Sequence, residues 1–231
     1  MWVLFFAFIF VLFLPPELEE GMLRELAWSF VFFSLLSELM WSVGMSLRRM
    51  KEGGVLEAIL ATAGGLKPVV AGISAKAVVD SVIYGTYTLL LFRAVYGLEL
   101  RIRNPIALLA ALVLAFACCY ALSAILASLT YGSRSLPALI NLVQFPLLLL
   151  SGALIPPRML PGWLRIAALA SPLTYSLDLA RNAATGCPTV LSPTFEWIVA
   201  GASTCLSLVL ADLAIDRVER IEREGRGPSV L

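Results

Sequence analysis

Asp178 and Arg181 stand three residues apart, a spacing that places a carboxylate and a guanidinium on one face of a helix, where each can neutralise the other. Glu38 is isolated in an apolar stretch, and Asp80 follows Lys76 by four residues. Carboxylates in apolar surroundings could bind an ion or carry a proton. Arg48, Arg49 and Lys51 form a short basic run suited to anchoring or docking. The four cysteines, Cys118, Cys119, Cys187 and Cys205, form no C-x-x-C pair, and three lie in apolar runs. They read as small hydrophobes rather than a disulfide framework. The chain has no histidine, which removes the commonest general base and metal ligand and makes a Ser-His-Asp triad impossible. Gly64-Gly65-Leu66-Lys67 does not fit a phosphate loop, and no G-x-G-x-x-G, H-E-x-x-H or G-x-S-x-G occurs. The chain is therefore expected not to be an enzyme and to bind no cofactor itself. Any ATP it uses must be hydrolysed on another polypeptide.

The elements that must position these residues follow from composition. Of 231 residues, 60% are hydrophobic and 14% charged, against roughly 45–50% and 25% in soluble domains. A chain of this size has too much surface to hide so many apolar side chains from water, so lipid is the expected solvent. A net charge of +1 gives no reason to expect a nucleic-acid partner. Charges and prolines divide the sequence into apolar blocks judged against the ~20 residues a spanning helix needs. The expectation is an all-α polytopic protein, a single transmembrane domain over 1–231. Its six spans fall at about 2–14, 23–47, 69–96, 105–129, 136–155 and 195–215. The first is short for a span, so the expectation is that the start is placed too late or that an upstream helix is missing. Pro146 should kink the fifth.

Between the second and third spans, about 53–64 is too short to cross. Leu56, Ile59, Leu60 and Ala63 recur at helical spacing, which describes an amphipathic helix on the membrane surface. The segment 156–193 contains no full span and is expected to hold short interfacial or re-entrant helices. Six spans put both termini on one side. Most Lys and Arg fall there too, including Arg48, Arg49, Lys51, Lys67 and the Arg217–Arg226 tail. Cytoplasmic termini in a plasma membrane follow. The alternating Arg and Glu of that tail read as a solvated helical extension.

The most specific passage is Ser151-Gly152-Ala153-Leu154-Ile155-Pro156-Pro157, then Leu160-Pro161-Gly162-Trp163, then Ser171-Pro172-Leu173-Thr174-Tyr175 followed by Asp178 and Arg181. Small residues allow close helix approach, the prolines turn the chain, and Trp163 can anchor at the interface. This passage resembles the type-2 permeases of ATP-binding-cassette (ABC) exporters. Arg49 with Gly53-Gly54-Val55-Leu56-Glu57 is similar to their cytoplasmic "Gly-Thr-Leu-Glu" stretch, with Val55 where Thr is usual and the following Pro displaced to Pro68.

The resemblance implies a permease paired with a second copy or paralogue and driven by a separate ATPase that holds ATP and Mg. It implies that the short cytoplasmic helix is a coupling helix, with Arg48, Arg49, Lys51, Gly54, Leu56, Glu57 and Leu60 as the coupling residues. Gly152, Pro156, Pro161, Trp163, Pro172, Tyr175, Asp178 and Arg181 would form the outer gate. Glu38 and Asp80 remain open to two readings. Glu38 lines the pathway or bonds Ser34 or Ser42, and Asp80 pairs with Lys76. The alternative class is an ion- or proton-coupled secondary transporter that uses these two carboxylates. The cargo is not legible.

Overall fold

In a computed structural model, the residues described are 19–62, 65–98, 102–129, 131, 136–153, 157 and 160–224, and they form helices and turns with no strand among them. Helix α1 is Glu20–Glu52, with Glu20 in its first turn and Arg49 and Lys51 in its last. That charge order complements the helix dipole at both ends. After Gly53 and Gly54 comes α2, Val55–Leu60. Both the N–H and the hydroxyl of Thr62 bond the Ile59 carbonyl, at 3.0 and 2.6 Å, so α2 stops short of the expected Ala63. Helix α3 spans Lys67–Tyr96 and α4 Pro105–Leu129. Pro105 opens α4 where its missing N–H costs nothing, and Asn104 Oδ1 accepts the Ala107 N–H at 3.1 Å as a cap. Then come α5, Leu136–Leu150, α6, Gly162–Leu169, α7, Pro172–Thr185, and α8, Pro193–Arg223.

Four of these helices, α1, α3, α4 and α8, are long and apolar enough to cross a membrane. They correspond to the expected second, third, fourth and sixth spans. The expected first span, 2–14, lies outside the described residues. The fifth differs from the expected 136–155. Helix α5 has 15 residues, about 22 Å at 1.5 Å per residue, against a hydrocarbon core of about 30 Å. It passes through Pro146 and ends at Leu150. Gly152 then takes a φ of +73°, a left-handed backbone that helix cannot continue.

Helix α1 forms the axis of the bundle, packed by α3, α4, α5 and α7. One apolar cluster joins Val43 and Leu47 of α1, Leu56 of α2, Val70 of α3, Ala124 of α4 and Ile215 of α8. A second joins Leu23 and Ala27 of α1 to Phe92 near the end of α3. Helices α1, α4 and α8 therefore run one way and α3 the other, with α2 at one end. Outward, α3 presents Val79, Ile83 and Leu90, α4 presents Ile106, Leu109 and Val113, and α8 presents Ile198, Leu206 and Val209, each more than half exposed. Such a surface is favourable only against hydrocarbon. The chain is a multi-pass membrane protein.

Candidate functional site

At the end opposite α2, one buried cation organises several segments. Arg181 is 2% exposed. Its Nη2 donates to the Gly152 carbonyl at 2.7 Å and to Ser29 Oγ of α1 at 3.1 Å. Its Nη1 lies 3.7 Å from Asp178 Oδ1, and the guanidinium sits 5.5 Å from the Phe32 ring centre. Asp178 Oδ2 accepts the Val190 N–H at 2.8 Å, and Glu196 Oε1 accepts that of Leu191 at 3.0 Å. Glu25 of α1, buried, accepts the Cys187 thiol at 2.7 Å. Helices α1, α7 and α8, the 187–191 loop and the turn at 151–153 are thus tied through one polar cluster. A charge this deep is tolerable only when paired and hydrogen-bonded. Asp178 and Arg181 are buried among α1, α7 and the turn after α5 rather than exposed on the helix surface.

The Ser-Pro-Leu-Thr-Tyr passage has a local physical role. Pro172 starts α7, while Thr174 Oγ1 donates to the Ala168 carbonyl at 2.7 Å and Tyr175 Oη to that of Leu169 at 2.6 Å. These are the last carbonyls of α6, which lack partners within their own helix. The two side chains therefore fasten α6 and α7 into a hairpin. Thr174 also reaches the Leu150 carbonyl at 3.3 Å, binding the hairpin to the end of α5. Pro161 precedes α6, and Trp163 on α6 is 72% exposed, as an interfacial anchor would be. Pro156 lies outside the described residues.

At the other end, Leu56 is 3% exposed and Leu60 packs beside it, so these two seat α2 on the bundle. Val55 and Ala58 face outward. Gly54 is exposed, with φ of +67°, and makes the turn into α2. Arg48 pairs with Glu52 at 2.7 Å, and Arg49 Nε reaches the Met45 carbonyl at 3.3 Å. Lys51 turns instead to Glu222 of α8, at 3.1 Å. Glu57 is on α2, and its side chain lies outside what is described. The structure brings this set to one end and divides it between an inward seat and an outward rim.

Glu38 is half-buried on α1 and close to Asp80 and Lys76 of α3. Lys76 Nζ donates to Asp80 Oδ2 at 2.5 Å, the expected i,i+4 pair. Ser34 gives its hydroxyl to the Val31 carbonyl at 2.8 Å, and among the described residues Glu38 accepts no hydrogen bond. Sequence reasoning missed Glu25, Ser29 and Glu222, because their partners are far away in the chain, and Glu196, whose partner Leu191 lies in the loop before its own helix. It also missed Gln144, whose Nε2 donates to Ser37 Oγ at 2.8 Å and fastens α5 to α1 in the interior. An amide alone in an apolar run was the available signal. Among the described residues no group of three or more Cys, Asp or Glu side chains is placed to hold a metal ion.

The sequence profile described as the ABC-2 type transporter matches residues 1–184, about four-fifths of the chain. No curated protein and no solved structure matches it.

Proposed function

Because the chain belongs to the ABC-2 type transporter family, and so is a membrane permease component of an ABC transporter, we propose that it serves an exporter whose ATP is hydrolysed on a separate cassette subunit. Two permease copies, identical or paralogous, would enclose the pathway and expose it to each side of a plasma membrane in turn. ATP and Mg would reside on the cassette partner, and both permease termini would be cytoplasmic.

The observation that carries this reading is α2. It is a six-residue helix at the end of the bundle, joined to α1 by two glycines, with Leu56 seated inward and Val55 and Ala58 outward. A short unit of this kind can be pushed as one body by a partner. The hairpin at the far end supports a re-entrant outer gate. Ser203 Oγ donates to the Pro172 carbonyl at 3.4 Å, ten residues into α8 and so about 15 Å from its start. Helix α7 then returns to the end where the Arg103 N–H meets the Ala184 carbonyl at 3.3 Å. With the 2–14 segment and α5 added to the four long helices, the count of membrane passages becomes six.

The test is biochemical. The purified chain alone is expected to hydrolyse no ATP. The complex that a tagged chain captures should hydrolyse it and stop when Mg is chelated. Robust hydrolysis by the lone chain would refute the reading, and transport sustained by a proton gradient without ATP would move the protein to the secondary carriers.

A further inference from the structure

The tail of α8, expected to be a solvated extension, is docked along one face. Asp212, Asp216, Glu219 and Glu222 are spaced four, three and three residues apart, which keeps them within about 120° of arc at 3.6 residues per turn. Each is engaged, and the partners flank α2 on both sides. Before α2, Lys51 Nζ reaches Glu222 Oε1 at 3.1 Å, and both side chains are largely buried. Tyr131 Oη donates to the same oxygen, and the Lys51 ammonium lies 4.2 Å from the Tyr131 ring centre. Burial and the adjacent Glu222 carboxylate push the Tyr131 phenol well above its ordinary value, so it remains a donor. After α2, the Leu66 N–H points to Glu219 Oε2 at 3.5 Å, and Lys67 Nζ bridges Asp212 and Asp216 at 2.8 and 2.9 Å. The linker passes so close that a β-carbon on Gly65, whose φ is +62°, would sit 2.6 Å from Glu219 Oε1.

A single exposed ion pair would hold little. Here a series of them acts with an apolar floor in which Leu56 and Leu66 meet Ile215 and Val218. The chain entering α2 and the chain leaving it are therefore held by the same helix face. We infer that the acidic face of α8 is a positioning device that makes α2 and the end of α8 move together, so that a push on α2 is delivered to the last membrane-crossing helix. Lys51, Lys67, Asp212, Asp216, Glu219 and Glu222 are its positioning residues. The inference rests on reading α2 as the contact for a cassette ATPase.

Glu222→Lys and the swap Lys51→Glu/Glu222→Lys test it in two ways. The first uses the lone permease, with Cys187 and Cys205 replaced by serine and spin labels on Ala58→Cys and Arg220→Cys. Glu222→Lys should at least double the width of the label-to-label distance distribution, and the swap should return it to within a quarter of the parent's. An unchanged width in Glu222→Lys overturns the positioning. The second uses the permease–cassette complex. Glu222→Lys should lower permease-stimulated ATP hydrolysis at least fivefold, and the swap should recover at least half. Full stimulation in Glu222→Lys, or no recovery in a swap that still assembles, overturns the transmission. An unmodified complex that shows no stimulation counts against the exporter reading instead, and the distance measurement then decides the inference alone.

Discussion

Arg181 is the residue on which the far end of the bundle converges, because its guanidinium meets α1, α7 and the turn after α5 at once. Removing one partner of a buried charge pair costs about 3–5 kcal/mol, since the other is left uncompensated. Arg181→Met should accordingly lower the stability of the detergent-solubilised protein by that order in a denaturation series, and adding Asp178→Asn should restore part of it. A variant denaturing with the parent would show that the cluster does not hold the fold. Spacing alone revealed that Asp178 and Arg181 can pair. It could not reveal Ser29, Gly152 or Glu196, whose approach depends on how distant helices cross. Local periodicity reports which face a residue shares, and says nothing of what that face meets.

Among the elements, the α6–α7 hairpin is fastened by side chains in addition to the backbone bonds of its turn. Thr174→Val keeps the shape of the side chain and removes the donor to Ala168. Because the Ser171 N–H still bonds that carbonyl at 3.1 Å, the loss should be about 1 kcal/mol. The same denaturation series checks it, and no shift would mean the hydroxyl adds nothing to the Ser171 bond. The long helices were legible because run length against bilayer thickness is a strong criterion, and α1, α3, α4 and α8 meet it. The end of α5 was not. Its apolar run continues past Leu150 to Ile155, and only the left-handed backbone at Gly152 stops the helix. Composition is blind to that. The tail of α8 is helical with Arg217, Arg220 and Arg223 exposed, as expected, but its Glu219 and Glu222 face is docked, which alternating charge does not reveal until the groups facing it are known.

Across the whole molecule, the polar residues gather mainly at two opposite ends, α2 with the acidic face of α8 at one and the Arg181 cluster at the other. If the proposed topology holds, the two ends answer differently to a membrane-impermeant maleimide. In cells carrying the Cys187→Ser and Cys205→Ser background, Trp163→Cys should label without lysis and Ala58→Cys only after it. Labelling of Ala58→Cys without lysis would overturn the placement of α2 in the cytoplasm, and labelling of Trp163→Cys only after lysis would overturn that of the hairpin outside. The bias of Lys and Arg already pointed this way from sequence, because loop charges follow orientation whatever the packing.

If α5 makes the proposed fifth crossing, its length leaves roughly a quarter of the hydrocarbon depth to be spanned by chain that is no longer helical. Such backbone cannot meet lipid with its amides bare, so protein must sheathe it. Ser151, Gly152 and Ala153 are indeed buried, with Ala153 in the same apolar cluster as Trp28 and Phe32 of α1 and the Gly152 carbonyl bonded by Arg181 of the hairpin. If the hairpin is the proposed outer gate, lifting it also unwraps this stretch, and water must take its place: opening the far end and wetting the interior would then be one event.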